Sequence, residues 1–295
     1  MPYDSGFRPN LFIGQKIFIP GGGGGLGRCI AHELAHLGAD IVLAGRSLEK
    51  LERTRDEILA DGGNVLSCHS AELRDEAAVE QLVERIVASH GQIDGLVNAA
   101  GGQFPATLED LSLNGWNAVL HNNLTSYFLV AREVYKQSMK AHGGAIVNLG
   151  ADWQSGMPGM GHNGAARAGL SNFTQTAATE WAAHGVRVNC VIPGFIATTG
   201  LDRYPESAWP ALRSVDKTIP LRRHGTAAEV SAMTVFLLSK MASYITGADF
   251  RVDGGKHNGA ESFLFKRSAN GSDESVRPSE AYNGFHKDEP PQLLS

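Results

Sequence analysis

The sequence predicts an α/β fold, a single doubly wound domain with a parallel sheet of about seven strands and helices on both faces. Seven short, β-branched apolar runs alternate with longer segments of helical periodicity, and a glycine-rich loop joins the first run to the first helix. Continuous apolar character indicates strands buried on both faces. The runs are KIFI at Lys16, ADIVLA at Ala39, NVLSC at Asn64, IDGLVN at Ile93, GAIVNL at Gly144, VRVNCVI at Val186 and ADFRV at Ala248.

The helical segments between these runs give the domain organisation. They are residues 28–37, 48–60, 76–89, 116–139, 164–183 and 227–239. Residues 1–14 form an N-terminal arm, residues 15–258 the domain, and residues 259–295 a polar tail, which from about Ser268 onward we expect to stay unpacked or to contact a neighbouring molecule. Residues 195–225 carry prolines and aromatic residues without a clear period and follow a strand end, so we interpret them as a substrate lid.

The composition argues against several classes of function. The chain has 26 basic and 31 acidic residues and no basic run, so we expect neither a nucleic acid nor a membrane as a partner. No apolar run reaches membrane-spanning length and the N-terminal stretch does not read as a secretion signal, which favours a cytoplasmic protein. The cysteines lie far apart, in no metal or redox spacing.

One short pattern does fit a metal site. Residues His32 to His36 read HELAH, which matches the zinc helix in which two histidines one turn apart bind the metal and the glutamate activates water. Such a site also needs a third ligand and an open cleft. The segment lies one turn after the glycine-rich loop, so we expect a structural helix and no metal.

The glycine-rich loop predicts a dinucleotide cofactor. PGGGGGLG, from Pro20 to Gly27, stands directly between the first strand and the first helix, where glycines let backbone N–H groups approach a pyrophosphate. The second strand ends at Gly45, where enzymes that prefer NAD usually carry a carboxylate, and Arg46 follows. A guanidinium can bind a 2′-phosphate through two hydrogen bonds, so the expected cofactor is NADP(H). The alternative interpretation of Arg46 is a solvated arginine at a helix start.

With these features the chain resembles the short-chain dehydrogenase/reductases from about Leu11 to Gly255. The supporting motifs are the glycine loop, NAAG at Asn98, NNLTSYF with Asn123 at the family's active-site asparagine, PGFIAT at Pro193 and YITGADFRVDGG at Tyr244. Within that family the chain is similar to the peroxisomal-type trans-2-enoyl-CoA reductases and the related 2,4-dienoyl-CoA reductases. This narrower resemblance rests on VNAAGGQF, GWNAVLHNNLT, HNGAARAGLSNFTQTAATEWA and FRPNLFIGQ.

The resemblance implies a set of cofactor contacts. The pyrophosphate would lie on the glycine loop, the 2′-phosphate past the second strand, the adenine and its ribose past the third and fourth, and the nicotinamide past the sixth. In that order, the implied residues are Gly21, Gly25, Leu26 and Gly27; Arg46 and Ser47; Glu72, Leu73, Asn98, Ala99 and Gly101; and Pro193, Gly194, Ile196 and Thr198, with Arg167 on the nicotinamide ribose.

The chain departs from this family at three of its four catalytic positions. Ala151 stands where the resemblance places a serine, Asn163 where it places a tyrosine, and Arg167 where it places a lysine. In the familiar carbonyl-reducing mechanism the tyrosine hydroxyl gives a proton to the alkoxide, and an asparagine cannot supply that proton. Arg167 can still donate to ribose hydroxyls, but it is a poor proton carrier. Ordinary alcohol dehydrogenation is therefore not expected.

Reduction of a C=C bond conjugated to a thioester makes a smaller chemical demand on these positions than reduction of a carbonyl. Hydride goes to Cβ and charge gathers on the thioester oxygen as an enolate, which needs fixed hydrogen-bond donors more than an acid. The GAARAG pattern that includes Arg167 is one that the family's enoyl reductases share. The candidate donors are Asn163 first, then Asn123 through a water, and Trp153 or Ser155 on the loop after the fifth strand.

Other interpretations of these residues stay open. Asp152 and His162 flank the changed positions and could relay a proton, since a histidine titrates near neutral pH, or they could be loop residues hydrogen-bonded to the backbone. Asn123 could instead cap or kink the long helix. Arg167 could pin its helix to a neighbouring carboxylate.

The expected activity is that of an NADPH-dependent reductase of an activated C=C bond, above all a 2-enoyl-CoA thioester. One alternative is a carbonyl or imine reductase or an alcohol dehydrogenase that uses His162 or Asp152 as its acid. The other is a non-redox lyase, cyclase or inactive subunit on the same scaffold. The resemblance also implies a homo-oligomer, a tetramer or dimer, formed through the helices matching 116–139 and 164–183 and the last strand.

Overall fold

The sheet predicted from the apolar runs is present. The computed structural model describes residues 1–258 and 278–294, and its seven strands lie in the order β3-β2-β1-β4-β5-β6-β7. Each pair of neighbouring strands is parallel. The strands are β1 Lys16–Pro20, β2 Asp40–Gly45, β3 Asn64–Ser70, β4 Gly95–Asn98, β5 Gly144–Leu149, β6 Val186–Pro193 and β7 Asp249–Val252.

Helices cover both faces of this sheet, which confirms the doubly wound α/β prediction. One core packs apolar side chains of α1, α2 and α9 on one face, and a second packs those of α3, α5 and α7 on the other. None of the helices in the described residues is long and apolar enough to span a membrane. The helices are α1 Gly25–His36, α2 Leu48–Ala60, α3 Glu76–His90, α4 Leu113–Leu120, α5 Ser126–Val134, α6 Lys140–His142, α7 Gly161–Trp181, α8 Trp209–Ser214 and α9 Ala227–Leu238.

The long helical segment predicted at 116–139 is interrupted. A π-helical turn at His121–Thr125 separates α4 from α5, and a second at Tyr135–Met139 separates α5 from α6. Each π turn holds one residue more than an α-helical turn and rotates the side chains that follow. Asn123 lies in the first of these turns, so the helix presents its side chain at an irregularity and not on a regular face.

Helix α7 begins at Gly161, three residues before the predicted start at 164. Met160 precedes it, and the backbone N–H groups of Asn163 and Gly164 donate to the Met160 carbonyl at 3.0 Å each. His162 and Asn163 are therefore first-turn helix residues, and both are fully buried. The interpretation of His162 as a loop residue is therefore wrong, because His162 lies in a helix.

The predicted lid is made of short helical turns. Between β6 and α9 the chain forms 3₁₀ turns at Leu201–Arg203, Glu206–Ala208 and Val215–Thr218 around α8. The indole N–H of Trp209 donates to the Tyr204 carbonyl at 3.0 Å and ties two of these turns together. Residues 195–225 are thus an ordered segment with little regular structure of its own.

Part of the C-terminal tail differs from the expected unpacked chain. Residues 278–294, called the strap below, pack against the domain and place Phe285 and Leu293 in buried positions. Phe285 stacks on Tyr3 of the N-terminal arm with ring centroids 6.0 Å apart. Residues 259–277 and 295 lie outside the described residues, so the expectation for that part of the tail stays a prediction.

The HELAH segment is structural. The His32 ring lies 3.1 Å from a Glu57 carboxylate oxygen, whereas the buried Glu33 accepts hydrogen bonds from Tyr3, Ser5 and Ser231 at 3.0, 2.7 and 2.5 Å. His36 is exposed. The three residues therefore face three different surroundings. Across residues 1–258 and 278–294, no group of three or more histidine, cysteine or acidic side chains could hold a metal ion.

Acid is expected to destabilise the fold in part through His32. Burial lowers the pKa of this histidine from 6.5 to about 4, so the folded state resists a proton that the unfolded chain accepts. Stability is therefore lost as the pH falls from about 6.5 to about 4, by up to about 3 kcal/mol at about 1.4 kcal/mol per unit. We expect His32→Gln to flatten this part of the curve of unfolding free energy against pH, measured by urea denaturation.

His36→Gln is the matched control, because His36 lies one turn further along the same helix and is exposed. Burial raises the pKa of Glu33, which acts in the opposite direction and is present in all three proteins, although His36→Gln also removes a charge that lowers this pKa. The same acid slope in His32→Gln and in the wild type would show that His32 does not set it.

Candidate active site

The glycine loop forms a cradle that only small residues permit. Gly21 has φ +89° and Gly25 has φ +49°, both in the left-handed region. A Cβ on Gly21 would lie 2.4 Å from the Ala100 nitrogen, and one on Gly27 would lie 2.4 Å from the Gly21 oxygen. Gly24, at the start of α1, provides no side-chain cap for the first-turn N–H groups. Leu26 lies in the same turn. The free N–H groups and the space left by the glycines fit the pyrophosphate of a dinucleotide.

The end of β2 offers positive charge near the predicted 2′-phosphate position. Arg46 is exposed, and Ser47 caps α2 by accepting a hydrogen bond from the Lys50 N–H. Glu72 pairs with Arg74 at 2.6 Å. The Arg74 guanidinium, with a smaller contribution from Arg46, lowers the pKa of the Glu72 carboxyl. The single carboxylate among the predicted adenine-side residues is therefore compensated locally.

The remaining predicted cofactor residues lie where the strands end. Asn98 closes β4 and donates from Nδ2 to the Asn148 side-chain oxygen at 2.9 Å, and the Ala99 N–H donates to Pro20 at 3.0 Å. Leu73, after β3, is buried. Pro193 is the last residue of β6, and Gly194 follows it at a position where a Cβ would come within 2.7 Å of Asp253. The Thr198 backbone N–H donates to the Ile196 carbonyl at 2.9 Å.

Three amide groups form a hydrogen-bonded chain with a fixed direction. The Gly102 backbone N–H donates to Asn123 Oδ1 at 3.0 Å, and Asn123 Nδ2 donates to Asn163 Oδ1 at 2.8 Å. Because a backbone N–H can only donate, it fixes which end of Asn123 is the oxygen, and through it which end of Asn163 is the NH₂ group. Asn163 Nδ2 then points to the sulfur of Met157 at 3.7 Å, a weak acceptor.

Arg167 lies against this chain. Its Nη1 donates to the Leu149 carbonyl at 2.9 Å and to the Asn123 carbonyl at 3.4 Å, and its Nε has no hydrogen-bond partner within the described residues. It is buried, and its hydrogen bonds in residues 1–258 and 278–294 go to carbonyl groups and not to a carboxylate. Within the part of the chain that the structure describes, Arg167 therefore does not pin its helix to a carboxylate. A Cβ on Gly101 would lie 3.0 Å from Nη2, so a glycine there leaves room for the guanidinium.

The two predicted proton-relay residues are placed differently. The His162 ring is fully buried, packs edge-on against Phe104 at 4.7 Å, and has no hydrogen-bond partner on either nitrogen within the described part of the chain. Asp152 instead faces β7, where Arg251 lies 4.0 Å away, and accepts a backbone hydrogen bond from Gln154. His162 thus adjoins Asn163 with unused hydrogen-bonding capacity, whereas Asp152 is turned toward a counter-charge.

Two side chains of the site were not anticipated from the sequence. Met157 lies between Gly156 and Gly159, both at φ +75°, and its sulfur meets the Asn163 amide. Tyr127 is buried, and its hydroxyl donates to Leu149 at 3.2 Å. Burial raises the pKa of Tyr127, so this phenol is a satisfied core group and not a free acid. Its spacing of four residues from Asn123 was the one signal that could have found it.

A protein-family model matches most of this chain. The model described as enoyl-(acyl carrier protein) reductase matches residues 22–257. The chain belongs to the short-chain dehydrogenase/reductase family. It is therefore an oxidoreductase of a family that uses NAD(P)H.

Two relatives and one solved structure illustrate the range within this family. The solved citronellol catabolism dehydrogenase of Pseudomonas aeruginosa PAO1 is 52% identical, covers 86% of this chain and 99% of its own, and has a TM-score of 0.78. A probable 2,4-dienoyl-CoA reductase of Bacillus subtilis is 35% identical over 82% of this chain and 96% of its own. A 3-oxoacyl-[acyl-carrier-protein] reductase of Chlamydia pneumoniae is 33% identical over 82% and 97%. The chain is thus similar both to C=C and to C=O reductases.

Gly27→Ala is expected to destabilise the glycine loop. Alanine favours a helix over glycine by about 1 kcal/mol, but here its Cβ would lie 2.4 Å from the Gly21 oxygen and force the loop to move. We expect a net loss of about 1–3 kcal/mol in the free energy of unfolding without cofactor, measured by urea denaturation. Gly24→Ala is the control, because nothing lies within 4 Å of its Cβ and its φ of −175° is extended. Equal midpoints for the two variants would contradict the crowding argument.

Proposed function

We propose that this enzyme is an NADP(H)-dependent reductase of a C=C bond conjugated to a thioester, with a 2-enoyl-CoA as the substrate class. The observation that supports this most directly is the amide chain. Its last member, Asn163, has an NH₂ group whose partner is the Met157 sulfur at 3.7 Å, so a stronger acceptor would be preferred there. A thioester oxygen that gains negative charge is such an acceptor.

The chemistry suits an amide because no acid is needed at this oxygen. When bound, a reduced nicotinamide supplies the hydride. The Asn163 amide stabilises the charge on the enolate oxygen, and the donors behind it keep that amide in place without reorganisation. Both asparagines are fully buried, and the low local polarity strengthens their hydrogen bonds. The missing tyrosine is therefore consistent with this reaction.

Arg167 supports the same site in two ways. Its guanidinium holds the Asn123 and Leu149 carbonyls, which fixes the π turn against the end of β5. We also propose that its unpaired Nε–H, together with the rest of the guanidinium, binds the ribose hydroxyls of the cofactor. A buried cation without a carboxylate partner in the described residues also favours negative charge nearby, as on the enolate.

The proton for Cα is assigned to His162 or to a water molecule. His162 directly precedes Asn163, and both of its ring nitrogens lack a partner in residues 1–258 and 278–294. An unsatisfied buried ring nitrogen is costly, so a ligand or water that reaches it would gain a hydrogen bond. Asp152 is less suited, because it faces Arg251.

The cofactor preference follows from the end of β2. Arg46 is the exposed cation at that position and Gly45 leaves no carboxylate to repel a phosphate. Arg74 compensates Glu72 through a 2.6 Å ion pair. These charges favour a 2′-phosphate over a free hydroxyl.

The second candidate function is reduction of a carbonyl or oxidation of an alcohol with His162 as the acid–base group. The buried, unpartnered His162 ring supports it, and so does the likeness to the protein titled citronellol catabolism dehydrogenase. The imidazole would then take the place of the tyrosine hydroxyl.

We also propose that the enzyme is a homo-oligomer that buries the outer face of α5 and α7. Tyr135 and Trp181 stack there with centroids 4.5 Å apart, and Phe128 and Phe173 meet edge to face at 5.9 Å. Phe128 is 38% exposed, which is costly for a phenylalanine that no second subunit covers.

Arg46→Asp is expected to change cofactor preference. The substitution removes the guanidinium and adds a charge that repels a 2′-phosphate but can accept from a 2′-hydroxyl. We expect the Kd for NADPH to rise at least about tenfold, as for loss of a hydrogen bond to a charged group, and that for NADH to change much less. Arg53→Asp, at an exposed position on α2, controls for net charge. Equal losses for both cofactors would remove Arg46 from the 2′-phosphate site.

Asn163→Ala is expected to lower kcat for an enoyl thioester by about ten- to a few hundred-fold, because it removes one fixed donor to the enolate oxygen. The measurement is oxidation of NADPH with a 2-enoyl-CoA. Asn172→Ala is the control, since Asn172 is exposed on the same helix. An unchanged kcat in Asn163→Ala would exclude the amide from the mechanism.

A substrate panel separates the two candidate functions. NADPH consumption is followed with enoyl-CoA thioesters, ketones and imines, and NADP⁺ reduction with an alcohol. We expect turnover with the thioesters. Turnover with ketones or alcohols that His162→Gln abolishes would instead support the second candidate, and no turnover with any of them would contradict both.

A further inference from the structure

The strap, residues 278–294, is held along the domain by several independent contacts. The Arg223 guanidinium donates to the Ser279 carbonyl at 2.8 Å, and the Thr226 hydroxyl donates to the Tyr282 carbonyl at 2.6 Å. Further along, Arg28 of α1 lies 5.2 Å above the Phe285 ring and 3.3 Å from an Asp288 oxygen. The strap therefore runs from the end of the lid to the first helix.

The end of the strap then returns to the lid. Leu293 is fully buried, and its backbone N–H donates to the Asp202 carboxylate at 3.3 Å. Its carbonyl accepts a hydrogen bond from Arg213 of α8. The turn Gln292–Leu294 packs on both α8 and the turn Leu201–Arg203. One apolar side chain and two hydrogen bonds thus join the strap to two parts of the lid.

The same part of the lid reaches the loop after β4 and the residue that precedes α7. Tyr204 follows the turn that contacts Leu293, and its hydroxyl accepts a hydrogen bond from Gln103 at 3.0 Å. That hydroxyl also lies 3.9 Å from the sulfur of Met160, the residue just before α7. Tyr204 therefore faces the elements that carry Gly102 and Asn163.

We propose that the strap positions the lid: Leu293 holds Asp202 and Arg213 so that Tyr204 covers the substrate cleft. The strap is then a working part of the active site, although its residues are far from the reacting atoms in the sequence. Leu293, Asp202 and Arg213 are positioning residues, and Tyr204 forms a wall of the cleft.

The strap is additional to the shared domain. The family model ends at residue 257, and the solved Pseudomonas aeruginosa protein, of which 99% is covered, matches only 86% of this chain. Neither comparison assigns a role to residues 278–294. The lid also lacks long helices of its own, so contacts from outside it contribute much of what holds it in place.

The test is hydrogen exchange of the free enzyme, followed by mass spectrometry on peptides that cover residues 201–218. The variants are Leu293→Asp, which charges the buried contact, Leu293→Met, which keeps an apolar side chain of similar volume, and His286→Asp, which places the same charge at an exposed strap position. We expect exchange in the lid to be at least about tenfold faster in Leu293→Asp, with the two other variants and the sheet strands unchanged. Asp202→Ala should give a smaller acceleration in the same peptides.

If the thioester binds only when the lid is closed, its apparent dissociation constant is the intrinsic constant divided by the closed fraction, and events after closure do not change. The KM for an enoyl thioester should therefore rise several-fold in Leu293→Asp with kcat nearly constant, while the Kd for NADPH stays within about twofold. This second measurement rests on the proposed function. If the wild type reduces no thioester, that function fails and the exchange experiment decides the role of the strap alone.

Unchanged lid exchange in Leu293→Asp would overturn the proposal. So would equally faster exchange in β1 and β4, because it would mean that the residue stabilises the whole fold and not the lid. Faster lid exchange with an unchanged KM would show that Tyr204 does not line the cleft, which also contradicts the proposal.

Discussion

The direction of one hydrogen bond, from the Gly102 backbone N–H to Asn123, sets the orientation of both buried asparagine side chains. A backbone N–H cannot accept, so the Asn123 oxygen must face it at 3.0 Å and its NH₂ group must face Asn163. The Asn163 NH₂ group then faces the Met157 sulfur, which is only a weak acceptor. If both side-chain amides were rotated by about 180°, Asn163 would present its oxygen there in place of the NH₂ group.

The rest of the fold keeps these amides in register. The loop after β4 supplies Gly102, a π turn supplies Asn123, and the first turn of α7 supplies Asn163. Arg167 connects the π turn to the end of β5 through two carbonyl groups. A buried amide that lost its partner would cost about 1–3 kcal/mol, so the arrangement resists rotation of either side chain. A site of this kind offers fixed dipoles in place of a mobile proton.

Local patterns in the sequence were sufficient to predict the parallel sheet, to place the glycine loop and to identify the changed residues. They could not show the π turn at Asn123, because its extra residue leaves no mark on the apolar period. Nor could they show that Asn163 faces Met157, since that depends on Asn123, 40 residues away. The strap was missed for a related reason: Phe285 and Leu293 are isolated apolar residues in a polar segment, and their partners lie at distant positions in the chain.

The most direct test of the account is a crystal structure of the enzyme with NADP⁺ and an unreactive 2-enoyl thioester analogue. We expect the thioester oxygen within hydrogen-bonding distance of Asn163 Nδ2, with the Met157 sulfur displaced from its position 3.7 Å from that nitrogen. A thioester oxygen bound elsewhere, with Met157 still on the Asn163 amide, would contradict the claim that this amide chain stabilises the enolate.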